Sequence, residues 1–228
     1  MANNATAGYG CSQTMTVGNT PATGGQSGFT VQGGGSPGAT KAIFIGAPVA
    51  MQTAAGGAGV LGHIQDQTAA LMTDGIVGGN TWAHNTANTN GSLGVFNGAT
   101  FVDANGKPTW TNGLAAAQTS SVDYNTGSNN ITAFVNTNPH QEYTARADAA
   151  VGIASFNTLT NTGYNLNDAG AGVDGQSDCT LDIANTTGTA NYMWKLVRSA
   201  NVTNQNDLTA AGADIIISYN PQANAYLA

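Results

Sequence analysis

The groups in this 228-residue chain able to carry acid–base, nucleophilic or metal chemistry are three histidines, two cysteines and twelve acidic side chains. Their spacing assembles no familiar centre. His63, His84 and His140 lie far apart, and none sits in a His-x-x-x-His or His-x-Glu pattern, so exposed loop histidines are the plainer reading. Neither Cys11 nor Cys179 has a neighbouring cation to lower its thiol pKa. Glu142 is the single glutamate, so a glycosidase would have to draw its acid and base mainly from aspartates. Asp174, Asp178 and Asp182 recur every four residues, whereas a calcium loop needs its oxygen ligands closer together. Gly57-Ala58-Gly59-Val60-Leu61-Gly62 carries the letters of a dinucleotide fingerprint. That motif works only as a strand-to-helix turn followed by an acidic residue and a second parallel strand, and Gly75, Gly78 and Gly79 interrupt the place where that strand would lie. The sequence therefore assigns no catalytic residue, metal ligand or cofactor, and the chain is read as a non-enzyme.

The elements that would position any site are short strands. Lys41 to Val49 reads as a buried strand broken near Pro48. Leu93 to Asp103 is a second, and Asn105-Gly106 beyond it is a strong hairpin signal because both residues accept positive φ. Pro108 to Thr111 is the returning strand. Ile131 to Val135 runs into a turn at Asn138-Pro139, after which Gln141 to Asp148 alternates with Tyr143, Ala145 and Ala147 on one face. Cys179 to Ile183 is a further candidate. Tyr192, Trp194 and Leu196 share a face, as do Ile215, Ile217 and Tyr219. Only His63 to Met72 has helical spacing, with Ile64, Thr68, Leu71 and Met72 on one side. About eight short strands with Gly, Asn and Pro turns imply a mainly β fold, an antiparallel β-sandwich or jelly-roll-like domain over residues 41–228.

Residues 1–40 differ. Their Gly-rich runs leave only scattered apolar side chains such as Tyr9, Phe29 and Val31, too few to offset the ordering entropy unaided. Two readings stand: a loose terminus, or an extended N-terminal arm ordered by lying across a neighbouring subunit.

Composition sets the partners. Five cations against twelve acids give a net charge of −7 and a charged fraction of 7%, where ordinary domains are roughly a quarter charged. Thirty Thr and 26 Asn do the solvating instead. Five cations cannot line a nucleic-acid groove, and the deficit of Glu, Lys and Arg argues against a coiled coil. The opening residues lack the basic and apolar regions of a signal peptide. The longest apolar stretch, near Ala42 to Met51, is far short of the roughly 20 residues of a membrane span. Without an export signal, Cys11 and Cys179 read as free thiols rather than one long-range disulfide.

Leu93-Gly94-Val95-Phe96-Asn97-Gly98, then Phe101-x-Asp103 and Gly106-Lys107-Pro108, resembles a recurring pattern in the capsid decoration (cement) proteins of tailed bacteriophages, particularly marine and cyanobacterial ones. Gly175-x-Ser177 with Leu181-Asp182 is similar to a downstream segment of that family, and the resemblance covers roughly residues 41–220. The turn at Thr137-Asn138 departs from it, since the family tends to carry acids there. The resemblance implies a homotrimer bound to the major capsid protein on the outer surface of an icosahedral shell, made in the host cytoplasm and stabilising the capsid, with no nucleic-acid or membrane partner. Tyr9, Phe29, Val31, Trp82 and Trp110 are the candidate assembly contacts. Two other readings stay open: a trimeric receptor-binding or tail-fibre tip, and a carbohydrate-binding jelly-roll module using Trp82, Trp110 or Trp194 as a sugar platform. Alternation with Tyr192 and Leu196 places Trp194 in the core instead.

Overall fold

A computed structural model describes residues 4–5, 7–16, 20–21, 25–30, 43–51, 64–66, 92–102, 105–114, 131–152, 163–167, 175–187, 194–200 and 206–219. Among them the chain is mainly β, with no helix. Every paired strand is antiparallel, and one sheet curls into a half-barrel.

The seven-stranded sheet is built around the strongest alternation in the sequence. Within it β11 (Gln141–Arg146) lies between β1 (Ser12–Thr16) and β15 (Asp214–Tyr219), the central strand. Beyond β15 come β14 (Trp194–Ser199), β12 (Gly163–Asn167) and β13 (Thr180–Thr187), and β2 (Thr20–Pro21) borders β1. Tyr143 stands opposite Ile217, and Ala145 opposite Ile215. Period-two patterning sends these side chains to one face, where they are fully buried with Trp194, Leu196 and Tyr219 in one apolar cluster.

The six-stranded sheet runs β3 (Gln26–Thr30), β10 (Thr132–Asn136), β7 (Ser92–Val102), β5 (Pro48–Met51) and β6 (Ile64–Asp66), with β8 (Pro108–Thr111) also paired to β7. Phe96, Ala99, Ala133, Val135 and Val49 form a second buried cluster. The Asn105-Gly106 hairpin is present. Gly106 has φ +80°, and Val102 stands opposite Pro108 at the start of the return. The strand from Lys41 breaks at Gly46, which has φ +85°, into β4 (Ile43–Phe44) and β5. Pro48 opens β5, a position where a missing N–H is tolerated. β4 pairs with β9 (Gly113–Leu114) in a two-stranded sheet.

One expectation is revised. Ile64–Asp66 forms β6, set against Val49 to Met51, in place of the first turn of a helix. Pairing with an open strand edge satisfies these backbone groups and overrides a weak helical period; residues 67–72 lie outside the described ones. Within residues 1–40, Ser12–Thr16 and Gln26–Thr30 pair with β11 and β10 of the same chain. These two short strands thus take their backbone partners from strand edges of the same chain.

Candidate functional site

The sequence-derived contact residues fall in different surroundings. Trp110 is 51% exposed, the largest exposed aromatic among the described residues. Its ring stacks on Phe134 at 5.4 Å and 27°, and its Nε1–H donates to Asn112 Oδ1 at 3.1 Å. Strand register sets what lies beside it. Thr132 is opposite Thr100, Thr100 is opposite Trp110, and Phe134 is opposite Gly28. Cross-strand partners share a face, so the indole crowns a patch of Thr, Gly and Phe that is uncharged among the described residues.

Tyr9 is engaged inside the chain. Its hydroxyl donates to Asp214 Oδ1 at 3.1 Å, and the Arg146 guanidinium sits 4.7 Å over its ring. Arg146 also pairs with the same carboxylate oxygen at 3.1 Å and donates to the Ala7 carbonyl. Burial, with the Asp214 carboxylate adding to it, pushes the Tyr9 phenol well above the ordinary tyrosine range, with Arg146 partly opposing. The phenol therefore stays protonated. Phe29 is half-buried against the second apolar cluster. Val31 and Trp82 lie outside the described residues.

No catalytic constellation forms among the described residues. Among the described residues no group of three His, Cys, Asp or Glu side chains is placed to hold a metal ion; Asp174, His63 and His84 lie outside them. Glu142 is buried and ion-paired to Arg198 at 2.8 Å. Cys11 and Cys179 are buried and form no disulfide with each other; the Ser177 hydroxyl donates to Cys179 Sγ at 2.9 Å, and burial raises the Cys11 thiol far above its ordinary value. Gly34-Gly35-Ser36-Pro37-Gly38 has the letters of a serine-nucleophile elbow. The elbow's mechanism requires a strand feeding directly into a helix, and this segment lies outside the described residues, as does Gly57 to Gly62.

No protein-family model, curated protein or solved structure matches this chain.

The geometry does show a feature that the sequence left hidden. Where the two large sheets meet, a cleft of about 240 Å³ opens. Cys11, Gln13 and Tyr143 line it from the seven-stranded sheet, and Val95, Asn97 and Asn136 from the six-stranded one. Gly46 joins its walls. The Gly46 amide donates to the Phe96 carbonyl at 2.9 Å, and its own carbonyl accepts the Cys11 amide at 2.8 Å. Each half of this cleft is ordinary strand sequence. The backbone bridge through Gly46, from Cys11 to Phe96, joins the halves across long sequence separations, so no local motif announces it.

Proposed function

We propose that this chain is a structural virion protein that binds the outside of an icosahedral bacteriophage capsid as a homotrimer and stabilises the shell. In this reading the two large β layers are a sandwich of jelly-roll type, and the Gly-rich residues 1–40 supply an arm. The observation that carries it is Trp110, half-exposed on a patch that is uncharged among the described residues. A large aromatic exposed at this level marks a contact surface. Thr and Gly around it can be covered by a partner without the desolvation cost that unpaired charges impose. The motif Leu93 to Gly98 falls in β7, the strand beneath the indole. Modest individual contacts multiply when repeated around a closed shell. A net charge of −7 also disfavours competition for packaged DNA.

Imaging of particles reconstituted with and without the protein tests this. Added density at three-fold positions on the shell, lost with Trp110→Ala, is the expected result. Density confined to the tail would instead identify a receptor-binding tip. Absence from the particle would overturn both virion readings. The same indole also suits the face of a sugar ring, and this keeps a carbohydrate-binding module as the second reading.

A further inference from the structure

Four Asn-Gly pairs occur in the sequence, at 90–91, 97–98, 105–106 and 112–113. Such a pair has a chemistry of its own. The glycine amide nitrogen can attack the asparagine Cγ, because glycine has no Cβ to hinder the approach and its backbone turns readily into the geometry required. Asparagine counts among the thermolabile side chains. In a folded chain the outcome depends on whether that nitrogen is free to turn and whether solvent reaches it. Asn90-Gly91 lies outside the described residues. The fold treats the other three pairs differently.

Gly98 is buried in β7, next to Ala99, which is paired on both sides with Ala133 and Thr111. The Trp110 ring fills the space where a Cβ of Gly98 would stand. Asn112-Gly113 is held atom by atom. The Asn112 side-chain carbonyl accepts the Trp110 indole N–H at 3.1 Å, and its backbone carbonyl accepts the Ile45 amide at 2.8 Å. The Gly113 amide donates to Thr111 Oγ1 at 3.2 Å, and Gly113 pairs with Phe44 across β4 and β9. Asn105-Gly106 differs at the attacking nitrogen. It lies in the loop between Val102 and its partner Pro108, and Asn105, Gly106, Lys107 and Pro108 are all exposed. Beyond its chain neighbours, no atom lies within 4 Å of where a Gly106 Cβ would stand. The Gly106 amide makes no hydrogen bond among the described residues. Turning it toward Asn105 Cγ therefore breaks no strand pairing.

We infer that Asn105 is a site of spontaneous deamidation, selected by the fold over Asn97 and Asn112. The Gly106 amide loses its proton to hydroxide, and its nitrogen forms a bond to Asn105 Cγ. The Cγ–Nδ2 bond breaks, and the leaving nitrogen takes a proton from water and departs as ammonia, which regenerates the hydroxide. The succinimide ring then takes up one water. Opening at the Cγ–N bond leaves aspartate in an ordinary backbone, and opening at the main-chain carbonyl leaves β-linked isoaspartate. The sum is one amide and one water converted to one carboxylate and one ammonium, with nothing oxidised or reduced. The product adds a negative charge to a chain already at −7, on the hairpin that carries Trp110. Isoaspartate also lengthens the loop backbone by one methylene. The inference is independent of the capsid reading.

The test is incubation of the intact, folded protein at mildly alkaline pH in ¹⁸O-labelled water, with the modified residues located by tandem mass spectrometry. Residue 105 should gain about 3 Da, one from exchanging amide for acid and two from the label. Part of the product should fragment as isoaspartate. Residues 97 and 112 should react about tenfold more slowly or less, since attack there waits for paired strands to open locally. In urea that unfolds the chain the three should react at similar rates, because the selectivity belongs to the fold. Asn105→Gln, which requires a larger ring for the same attack, should remove the gain at residue 105. The inference is overturned if residue 105 stays unlabelled in the folded protein while it reacts in urea. It is equally overturned if residue 97 or 112 keeps pace with it in the folded protein.

Discussion

The Trp110 indole occupies the space that a side chain at residue 98 would need. A Cβ added to Gly98 would run into Trp110 Cζ2, and Gly98 holds φ +115°, a conformation that L side chains rarely adopt. The exposed aromatic and the bare glycine beneath it are therefore one feature: the ring covers backbone that has no side chain of its own. Gly98→Ala should destabilise the protein by about 2–3 kcal/mol through backbone strain and displacement of the ring. A urea titration checks this. Because the ring must tilt off Phe134, indole fluorescence of the folded variant should change as well.

The buried rings make a second expectation. Trp194 stacks on Tyr219 at 4.7 Å, and Tyr143 meets both edge-on at 5.6 and 5.7 Å. Trp194→Ala removes the largest fully buried side chain and should cost about 3–5 kcal/mol. Tyr219→Phe should be neutral or slightly stabilising, since its buried hydroxyl lacks a hydrogen-bond partner. Denaturant midpoints measure both. A loss of more than about 1 kcal/mol in Tyr219→Phe would show that the hydroxyl is satisfied after all.

Arg146 is the clamp on residues 7–9. It holds the Ala7 carbonyl, the Tyr9 ring and the Asp214 carboxylate with one planar group. Arg146→Ala should cost about 2–3 kcal/mol, because it strands a partly buried carboxylate. Arg146→Lys should recover little, since an ammonium cannot reproduce the fork and the ring contact together. Hydrogen exchange should speed up first at Gly8 to Cys11.

Acid should loosen the same end of the molecule. The Thr209 hydroxyl and amide both donate to the Asp207 carboxylate and hold its pKa below the ordinary aspartate value. The ionised form is thus favoured more in the folded protein than in the unfolded chain. The stabilisation is complete above the unfolded value near 4 and disappears as pH falls through the lower folded one. Thermal midpoints recorded downward from about pH 5 should fall less steeply in Asp207→Asn than in the parent.

Much of the layered architecture is legible in the sequence, for a physical reason. Tyr143, Ala145 and Ala147 alternate with Glu142, Thr144 and Arg146 because one face of the strand meets a core, and Ile215, Ile217 and Tyr219 share such a face although Ile216 between them is apolar as well. Asn105-Gly106 announces its hairpin through conformational freedom that few other pairs have. Ser12–Thr16 and Gln26–Thr30 give no such signal. Apart from Met15 and Phe29 their residues are small or polar, and their strand character comes from partners more than 100 positions away, such as Thr144 for Ser12 and Phe134 for Gly28. Ile64–Asp66 misleads because three residues are too few to separate a helical period from a strand. The cleft was hidden for the same reason as β1. Asn136 and Tyr143 look like a turn-flanking amide and a core aromatic, and only the meeting of two sheets makes both of them border the cleft.

Asn4 and the backbone of Asp207 exchange two hydrogen bonds, at 2.7 and 2.9 Å, across 203 positions of sequence. A ribosome emits residue 4 long before residue 207, so this clasp cannot close on the growing chain. The seating of Tyr9 must likewise wait for Asp214. The layer that contains β1 is therefore completed only after its most distant strand has been synthesised, the regime in which folding is slow and open strand edges are exposed to other copies. That interval is where chain-to-chain exchange of the leading segment would have to be avoided, or used.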